Sequence, residues 1–335
     1  MKGKRKLLST IGVRLGVFDH VLTMPSGSLI VFNYHRIRPD DPNFTTSFDE
    51  DVFGPTAQEL RDQLRWLKKK ARILCEREVI EILDSQEPPR EGCALVTFDD
   101  GYKDNFELAY PILRELGMPA TFFVPTDLVE RRRVGWWDCI AYFIKKTKKD
   151  VIEFEGKRFL LEKKRKETIR FFLNRMASEE CQVSSSLLDQ LREICGISFP
   201  GSREQDEQLM TWEEIREMWR NGMTIGAHTH THRVLARLDG EDKKRELTES
   251  KDILERELGC KVCSIAYPLG GKEHFTKHTC QLACESGYKL GFSFDDRINS
   301  WKTVDRYDIK RLASPRDLDL FKGATLLPHI FQYGG

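Results

Sequence analysis

The stretch Cys93-Ala94-Leu95-Val96-Thr97-Phe98-Asp99-Asp100-Gly101-Tyr102 decides the fold of this chain. Its first four residues are apolar and predict a buried strand, and residues 103–116 carry apolar side chains at helical spacing. Asp99 and Asp100 therefore fall on a strand-to-helix turn, where Gly101 permits a backbone path that a side chain would resist. Because neighbouring side chains point in different directions, one carboxylate can bind a metal while the other faces a substrate or water. Acidic residues are also common in the first turn of a helix, where they complement its dipole.

A second apolar run supplies partners for these carboxylates. Residues 223–227 lead into His228-Thr229-His230-Thr231-His232, which holds three of the eight histidines of the chain. If a helix follows the strand, His228 and His232 lie on one face and His230 points elsewhere. Two histidines with a distant strand-end carboxylate are typical of a two-histidine, one-carboxylate metal site.

The chain resembles a known family at these residues. Thr97 to Tyr102 and His228-Thr229-x-x-His232 are similar to the first and second motifs of the NodB-like polysaccharide deacetylases, carbohydrate esterase family four. Ile265-Ala266-Tyr267-Pro268-Leu269-Gly270 resembles the A-Y-P-x-G variant of the third motif. The resemblance covers roughly residues 29 to 320, and three ordered motifs are more specific than one. It implies an α/β fold, a distorted barrel of the (β/α)7 type.

The resemblance also implies roles for the matched residues. Asp99 is expected to be the general base. The third-motif backbone, at the N–H of Leu269, is expected to donate to the oxyanion. The expected ligands of a divalent ion, most simply zinc with cobalt, iron or nickel as alternatives, are Asp100, His228 and His232.

Four aromatic or motif residues are predicted to contact the substrate. Trp137, in Gly135-Trp136-Trp137-Asp138, is suited to stacking on a sugar ring, although large aromatic residues are more often core or loop anchors. The other three predicted substrate contacts are Tyr102, Tyr267 and Pro268.

Two positions depart from the family pattern. Many members carry a third-motif arginine that pairs with the base, but Ala266 stands at that position here. We predict that Arg311, at the end of a late strand, orients Asp99 instead; the alternative is an ordinary surface charge. For the general acid we predict His35 in Asn33-Tyr34-His35, which resembles the Tyr-His of relatives that act on poly-N-acetylglucosamine. His329 is the alternative, and a histidine suits this role because its reference pKa lies near neutrality.

The candidate site residues share one position in the chain. Each of the four groups, at His35, Asp99, His228 and Tyr267, comes directly after a predicted strand. The strand C-terminal ends of an α/β barrel converge on one face, where active sites form. We therefore expect the four groups to meet at one mouth.

The expected domain organisation is a short N-terminal segment before one catalytic domain. Residues 1–28 carry an amphipathic stripe behind basic residues, and contact of residues 4–22 with an anionic membrane surface is one interpretation, with a helix that caps the fold as the other. Residues 29–335 form the catalytic domain, in which the charged segment of about 140–208 is predicted to be a mostly helical insertion. Its basic runs predict solvated faces or, alternatively, contacts to an anionic substrate.

Composition limits the remaining choices. The 54 Lys and Arg residues against 53 Asp and Glu give a net charge of +1, which provides no reason to expect nucleic acid as a partner. Nine scattered cysteines and the lack of a secretory-signal pattern favour a cytoplasmic location, at the inner membrane face if the N-terminal segment binds lipid. A structural zinc site at Cys260-x-x-Cys263 with Cys280-x-x-x-Cys284 is the less favoured alternative to buried, reduced thiols.

The leading functional hypothesis is a metal-dependent N-deacetylase that acts on an N-acetylated glycan or a lipid-linked saccharide, such as an exopolysaccharide precursor. One alternative is an inactive glycan-binding protein with the same barrel. Another is a different metal-dependent amidohydrolase, because the His-x-His pair of that class is present in His228-x-His230.

Overall fold

The fold is a curled α/β barrel of seven parallel strands. We analysed a computed structural model that describes Met24 and residues 26–178 and 181–326. The strands are Ser28–Tyr34 (β1), Arg36–Arg38 (β2), Phe53–Thr56 (β3), Arg72–Ile73 (β4), Cys93–Phe98 (β5), Thr121–Val124 (β6), Val151–Phe154 (β7), Lys157–Leu160 (β8), Thr224–Ala227 (β9), Ser264–Ala266 (β10), Leu290–Phe292 (β11), Asn299–Ser300 (β12) and Leu312–Ala313 (β13). Seven strands of the barrel, β13-β1-β5-β6-β9-β10-β11 in spatial order, pair in parallel. Two short strands complete this sheet: β4 pairs in parallel with β5, and β12 runs antiparallel beside β1.

Helices connect the strands and cover the barrel. They are Ala57–Lys70 (α1), Glu76–Ser85 (α2), Tyr110–Leu116 (α3), Thr126–Glu130 (α4), Trp136–Lys146 (α5), Leu161–Ser178 (α6), Cys181–Cys195 (α7), Ser202–Asp206 (α8), Trp212–Arg220 (α9), Gly240–Leu258 (α10), Lys277–Glu285 (α11) and Leu318–Leu326 (α12). A π-helical turn, Asn105–Ala109, precedes α3. The capping box of Thr211 and Glu214 opens α9, because each side chain satisfies a backbone N–H that the helix leaves unpaired.

The centre of the sheet is buried on both faces. Every residue of β1 and β5 is buried, as expected for parallel strands covered by helices. The register pairs Asn33 with Thr97 and Tyr34 with Phe98, so both strands end at the same level. An isolated parallel bridge between Phe292 and Ile309 brings the segment before β13 beside β11, which curls the sheet back toward β1. The predicted distorted barrel is confirmed.

The predicted insertion folds around its own apolar cluster. Helices α5, α6 and α7 pack together over a cluster that includes Phe143, Ile169, Phe172 and Leu191. The segment also contains a β-hairpin, β7 and β8, which the sequence analysis did not predict. The hairpin turns at Glu155 and Gly156, both with a positive φ.

Local geometry corrects two expectations. The apolar spacing of Leu60, Leu64 and Leu67 predicts one helix over residues 48–70, but residues 53–56 form strand β3 and α1 begins only at Ala57. The histidine segment is a turn rather than a helix, with Thr229 at φ 62° and His232 at φ 57°. The turn is held by Glu246, whose Oε2 accepts hydrogen bonds from the N–H groups of His230 and Thr231 at 2.9 and 2.8 Å.

Two predictions lie outside the described residues. These are the membrane contact of residues 4–22 and the alternative acid His329. Within the described part of the chain, no helix is long and apolar enough to cross a membrane. The described cysteine side chains are free thiols.

Candidate active site

Three side chains from two strand ends converge on one point. Asp100 follows β5 with φ 71°, and His228 directly follows β9. The Oδ1 atom of Asp100 lies 3.4 Å from Nε2 of His228 and 3.3 Å from Nε2 of His232. One ligand atom from each of the three residues lies within 4.8 Å of the others, and all three residues are buried.

The polar atoms of this cluster fit a bound cation. Nδ1 of His228 lies 2.8 Å from the carbonyl oxygen of Ala266, a contact of the kind that fixes the tautomer of a metal-binding imidazole. Oδ1 of Asp100 is buried and accepts no hydrogen bond from any described residue. An unpartnered buried carboxylate oxygen is energetically costly, and a bound cation would supply the missing partner. Two imidazoles and one carboxylate are also a ligand set that suits a divalent ion.

Arg311 binds both carboxylate oxygens of Asp99, the residue before Asp100. The guanidinium group donates to Oδ1 of Asp99 at 2.7 Å and to Oδ2 at 2.8 Å, and the amide of Asn33 donates to Oδ2 at 2.9 Å. Arg311 is 1% exposed, and its Nε donates to the carbonyl of Ser293 at 3.0 Å. The alternative interpretation of Arg311 as a surface charge is therefore wrong.

Electrostatics keep both carboxylates ionised. Burial alone would raise the pKa of Asp99, but the positive charge of Arg311 and the nearby imidazoles of His228 and His35 outweigh it, so the pKa is lowered. Burial also opposes ionisation of Asp100, and the contacts from His228 and His232 hold its pKa well below the usual value. An ionised Asp99 is the state that a general base requires.

The pKa values of His228 and His232 are shifted in opposite directions. Burial tends to lower the pKa of His228, but the charges of Asp99 and Asp100 raise it above the ordinary value. For His232 burial is the largest influence and the pKa is lowered. A neutral imidazole is the form that binds a metal.

His35 lies on the rim of the same site. Its Nε2 is 4.0 Å from Oδ2 of Asp99, and 32% of its side chain is exposed. Its ring meets the edge of Phe294, and its carbonyl accepts a hydrogen bond from the amide of Asn105 at 2.7 Å. The imidazole of His35 is therefore accessible to solvent, while the hydrogen bond from Asn105 fixes the backbone of this residue.

A cavity of about 510 Å³ opens onto these groups. The lining includes Trp136 on α5, Leu173 and Asn174 on α6, Leu269, at φ 59°, and the exposed Arg237. The volume is in the usual range for sites that bury a small organic ligand.

The predicted substrate contacts are placed unequally. Trp137 and Tyr267 line the cavity, but Tyr267 is 0% exposed and its hydroxyl donates to the carbonyl of Tyr307 at 2.9 Å. Tyr102 and Pro268 are buried outside the cavity lining. The hydroxyl of Tyr102 is bonded to Asp138 and Trp137, so direct substrate contact by Tyr102 or Pro268 does not fit the structure.

His230 points away from the cluster. Its Nδ1 lies 2.9 Å from the hydroxyl of Thr126, and its Nε2 lies 3.8 Å from Asp127. The His-x-His pair of the amidohydrolase hypothesis is therefore not formed.

Three residues of the site were not predicted from the sequence. Asn33 had a signal, because an amide inside an apolar strand is unusual. Asn174 and Arg237 carry no local signal.

Comparison with known proteins agrees with this geometry. A family model described as polysaccharide deacetylase matches residues 86–291, more than half of the chain. The chain belongs to the polysaccharide deacetylase family. Its resemblance to that family, inferred above from three motifs, is confirmed.

Two relatives illustrate the range of the family. YxkH of Bacillus subtilis (strain 168), described as a polysaccharide deacetylase, is 22% identical over 235 residues, which cover 70% of this chain and 56% of that protein. The poly-beta-1,6-N-acetyl-D-glucosamine N-deacetylase of Staphylococcus epidermidis is 30% identical over 113 residues, which cover 32% of this chain and 39% of that enzyme. The matches thus span about half or less of these relatives' own length.

Solved structures support the fold over most of the chain. The Streptococcus pyogenes deacetylase PplD, in complex with acetate, has a TM-score of 0.59 at 20% identity and covers 90% of this chain and 99% of its own. IcaB from Ammonifex degensii has a TM-score of 0.54 at 18% identity and covers 93% of this chain and 100% of its own. At these identities the likeness concerns the fold.

Proposed function

We propose that this protein is a metal-dependent N-deacetylase that removes acetyl groups from N-acetylated amino sugars of an oligosaccharide, a polysaccharide or a lipid-linked saccharide. One observation carries the proposal: Asp99, fixed at both oxygens by Arg311, stands beside Asp100 and the two histidines in one cavity. A binding protein has no need for an ionised base beside a three-ligand cluster.

Asp100, His228 and His232 are the residues that would hold the ion, for which we propose zinc. Three protein ligands leave coordination positions open, as in catalytic zinc sites. When bound, such an ion acidifies water and polarises an amide carbonyl.

The remaining steps are carried out by groups of the protein itself. Asp99 accepts the proton of the attacking water, because its carboxylate is ionised and already oriented by Arg311. The backbone N–H of Leu269 donates to the oxyanion that develops from the acetyl carbonyl. His35 then protonates the leaving amine of the sugar, and the C–N bond of the amide breaks to give acetate and a free amino sugar.

The cavity and the relatives support a saccharide substrate. A cavity of about 510 Å³ is larger than an acetyl group requires, and the indole of Trp136 and the amide of Asn174 in its wall are groups that suit a sugar ring. The Staphylococcus epidermidis relative is named for its action on poly-beta-1,6-N-acetyl-D-glucosamine. Oligomers of β-1,6-linked N-acetylglucosamine are therefore the first substrates to test.

The test measures acetate release from these oligomers by the zinc-loaded protein and by the Asp99→Asn variant. We expect release by the wild type and a loss of at least about 100-fold in the variant. Asparagine is similar in size to aspartate, but it cannot act as the base. Zinc binding without release from N-acetylglucosamine oligomers or lipid-linked N-acetylhexosamine would contradict the proposal. Glycan binding under those conditions would favour the inactive binding protein.

A further inference from the structure

The second ligand histidine lacks a contact that the first one has. Nδ1 of His228 is bonded to the carbonyl of Ala266, whereas Nδ1 of His232 is buried and bonded to no described residue. His232 also adopts a left-handed backbone conformation, φ 57°, which is unfavourable for a side chain with a Cβ. A ligand in this state needs another contact to fix the orientation of its ring.

Trp137 provides such a contact. The centroid of its ring lies 4.2 Å from that of the His232 imidazole, with an interplanar angle of 50°. The neighbouring Trp136 acts on the same residue, because its indole N–H donates to the carbonyl of His232 at 3.5 Å. The first turn of α5, where the insertion begins, therefore touches both the side chain and the backbone of His232.

The position of the Trp137 indole is itself fixed. Its Nε1 donates to the hydroxyl of Tyr102 at 2.6 Å, and that hydroxyl donates to Oδ2 of Asp138 at 3.1 Å. The ring folds over Gly135, where a Cβ would overlap the indole. Trp137 is 7% exposed, and Tyr102 is 1% exposed.

The contacts of Trp137 connect the loop that carries Asp100 with His232. Tyr102 lies two residues after Asp100, and the guanidinium of Arg36 lies over its ring at 4.4 Å. The indole of Trp137 is thus bonded to the loop that carries Asp100 and packed against His232.

We infer that Trp137 is a positioning residue for the metal cluster: its ring orients His232 in place of the missing Nδ1 hydrogen bond, and Tyr102 holds the ring. The inference rests on the metal site of the proposed function. It replaces the earlier prediction that Trp137 and Tyr102 contact the substrate.

The experiment compares zinc affinities of full-length variants by competition with a chromophoric chelator. Trp137→Leu and Trp137→Phe both keep an apolar side chain, but only phenylalanine presents a ring to His232. We expect Trp137→Leu to weaken zinc binding by about 10- to 100-fold, the usual effect of losing a group that orients a metal ligand. Trp137→Phe should keep most of the affinity, and Tyr102→Phe, which frees the indole, should fall between them.

Trp301→Ala is the matched control. Trp301 is 8% exposed, and its backbone N–H donates to the carbonyl of Gly27, so it lies at the other end of strand β1. This variant should lower the thermal midpoint without changing the zinc affinity. Equal affinities of the Leu and Phe variants, or an equal loss in Trp301→Ala, would overturn the inference. A wild type that binds zinc but releases no acetate would contradict the deacetylase proposal, while the affinity series would still decide the role of Trp137.

Discussion

Arg311 and Asp99 lie 212 residues apart in the chain and form a buried pair with two hydrogen bonds, at 2.7 and 2.8 Å. Arg311 reaches this position because strand β13, which begins at the next residue, pairs with β1, beside β5, whose C-terminal end precedes the aspartate. An arginine fork holds both carboxylate oxygens at once, which a lysine does not. The orientation of the proposed base is thus set by the last strand of the barrel.

Removing this arginine should reduce kcat more than zinc binding. We expect Arg311→Lys to lower kcat by at least about 10-fold, because the charge remains but the two-point contact is lost, and Arg311→Ala by about 100-fold or more. Steady-state kinetics on N-acetylglucosamine oligomers, with zinc content measured alongside, check this.

The same pair should behave non-additively. In the Asp99→Asn background the base is already absent, so Arg311→Ala should cost little further activity, as for residues that act as one unit. Losses that multiply in the double variant would show that Arg311 acts on something other than Asp99.

His35 should matter only for substrates with a poor leaving group. We expect His35→Gln to lower acetate release from N-acetylated sugars by about 100- to 10,000-fold, because an amine must be protonated before it leaves. An aryl acetate ester has a leaving group that needs no proton, so its hydrolysis should fall far less. The comparison of the two rates checks the role, and His278→Gln, at an exposed position, is the matched control. An equal loss on both substrates would move the acid elsewhere.

Zinc should stabilise the folded protein as well as activate it. A ligand that binds only the native state at 1,000 times its Kd adds about 4 kcal/mol to the free energy of unfolding. We expect chelation to lower the thermal midpoint and abolish acetate release, and His228→Ala to lose both responses to added zinc. His230→Gln should keep both, because His230 contacts Thr126 and Asp127 instead of the cluster.

The barrel and the convergence of strand ends were predictable from local patterns. Strands such as β1 and β5 are buried on both faces, so they appear as continuous apolar runs, and the polar residue that ends each run marks the mouth. The structure brings together the residues predicted for catalysis and metal binding, although their roles stay predictions. The geometry of the histidine turn was not predictable, because it depends on contacts with residues outside the segment: Glu246 accepts hydrogen bonds from the N–H groups of His230 and Thr231, and Trp137 packs against His232.

The insertion hairpin and the cavity wall were missed for similar reasons. Exposed charges such as Lys157 and Arg158 interrupt the alternation of β8, and Glu155-Gly156 is a weaker turn signal than Asn-Gly. Asn174 is one polar residue among many on α6, and only the packing of α6 against the barrel brings it to the cavity.

Asn174 should contribute to substrate binding rather than to chemistry. Asn174 lines the cavity from α6, so it is placed to contact a bound saccharide. We expect Asn174→Ala to raise KM for longer N-acetylglucosamine oligomers by about 5- to 10-fold with little change in kcat, the cost of about one hydrogen bond. Gln190→Ala, an exposed amide on α7, is the control. A fall in kcat at constant KM would contradict a binding role.

Glu76 should make the stability of the fold depend on pH. It is 6% exposed, it accepts a hydrogen bond from Ser264 at the start of β10, and burial raises its pKa from 4.5 to about 7. Between these two values the folded state keeps the proton and the unfolded state does not, so stability falls as the pH rises through this window. The full penalty, about 3 kcal/mol, is present above pH 7.

Glutamine needs no proton, so we expect Glu76→Gln to be more stable than the wild type in urea unfolding at pH 8 and equal to it near pH 4.5. Glu81→Gln, exposed on the same helix, should show no such pH-dependent gain. A wild type whose stability relative to Glu76→Gln does not change between these pH values would place an ionised Glu76 in the folded state.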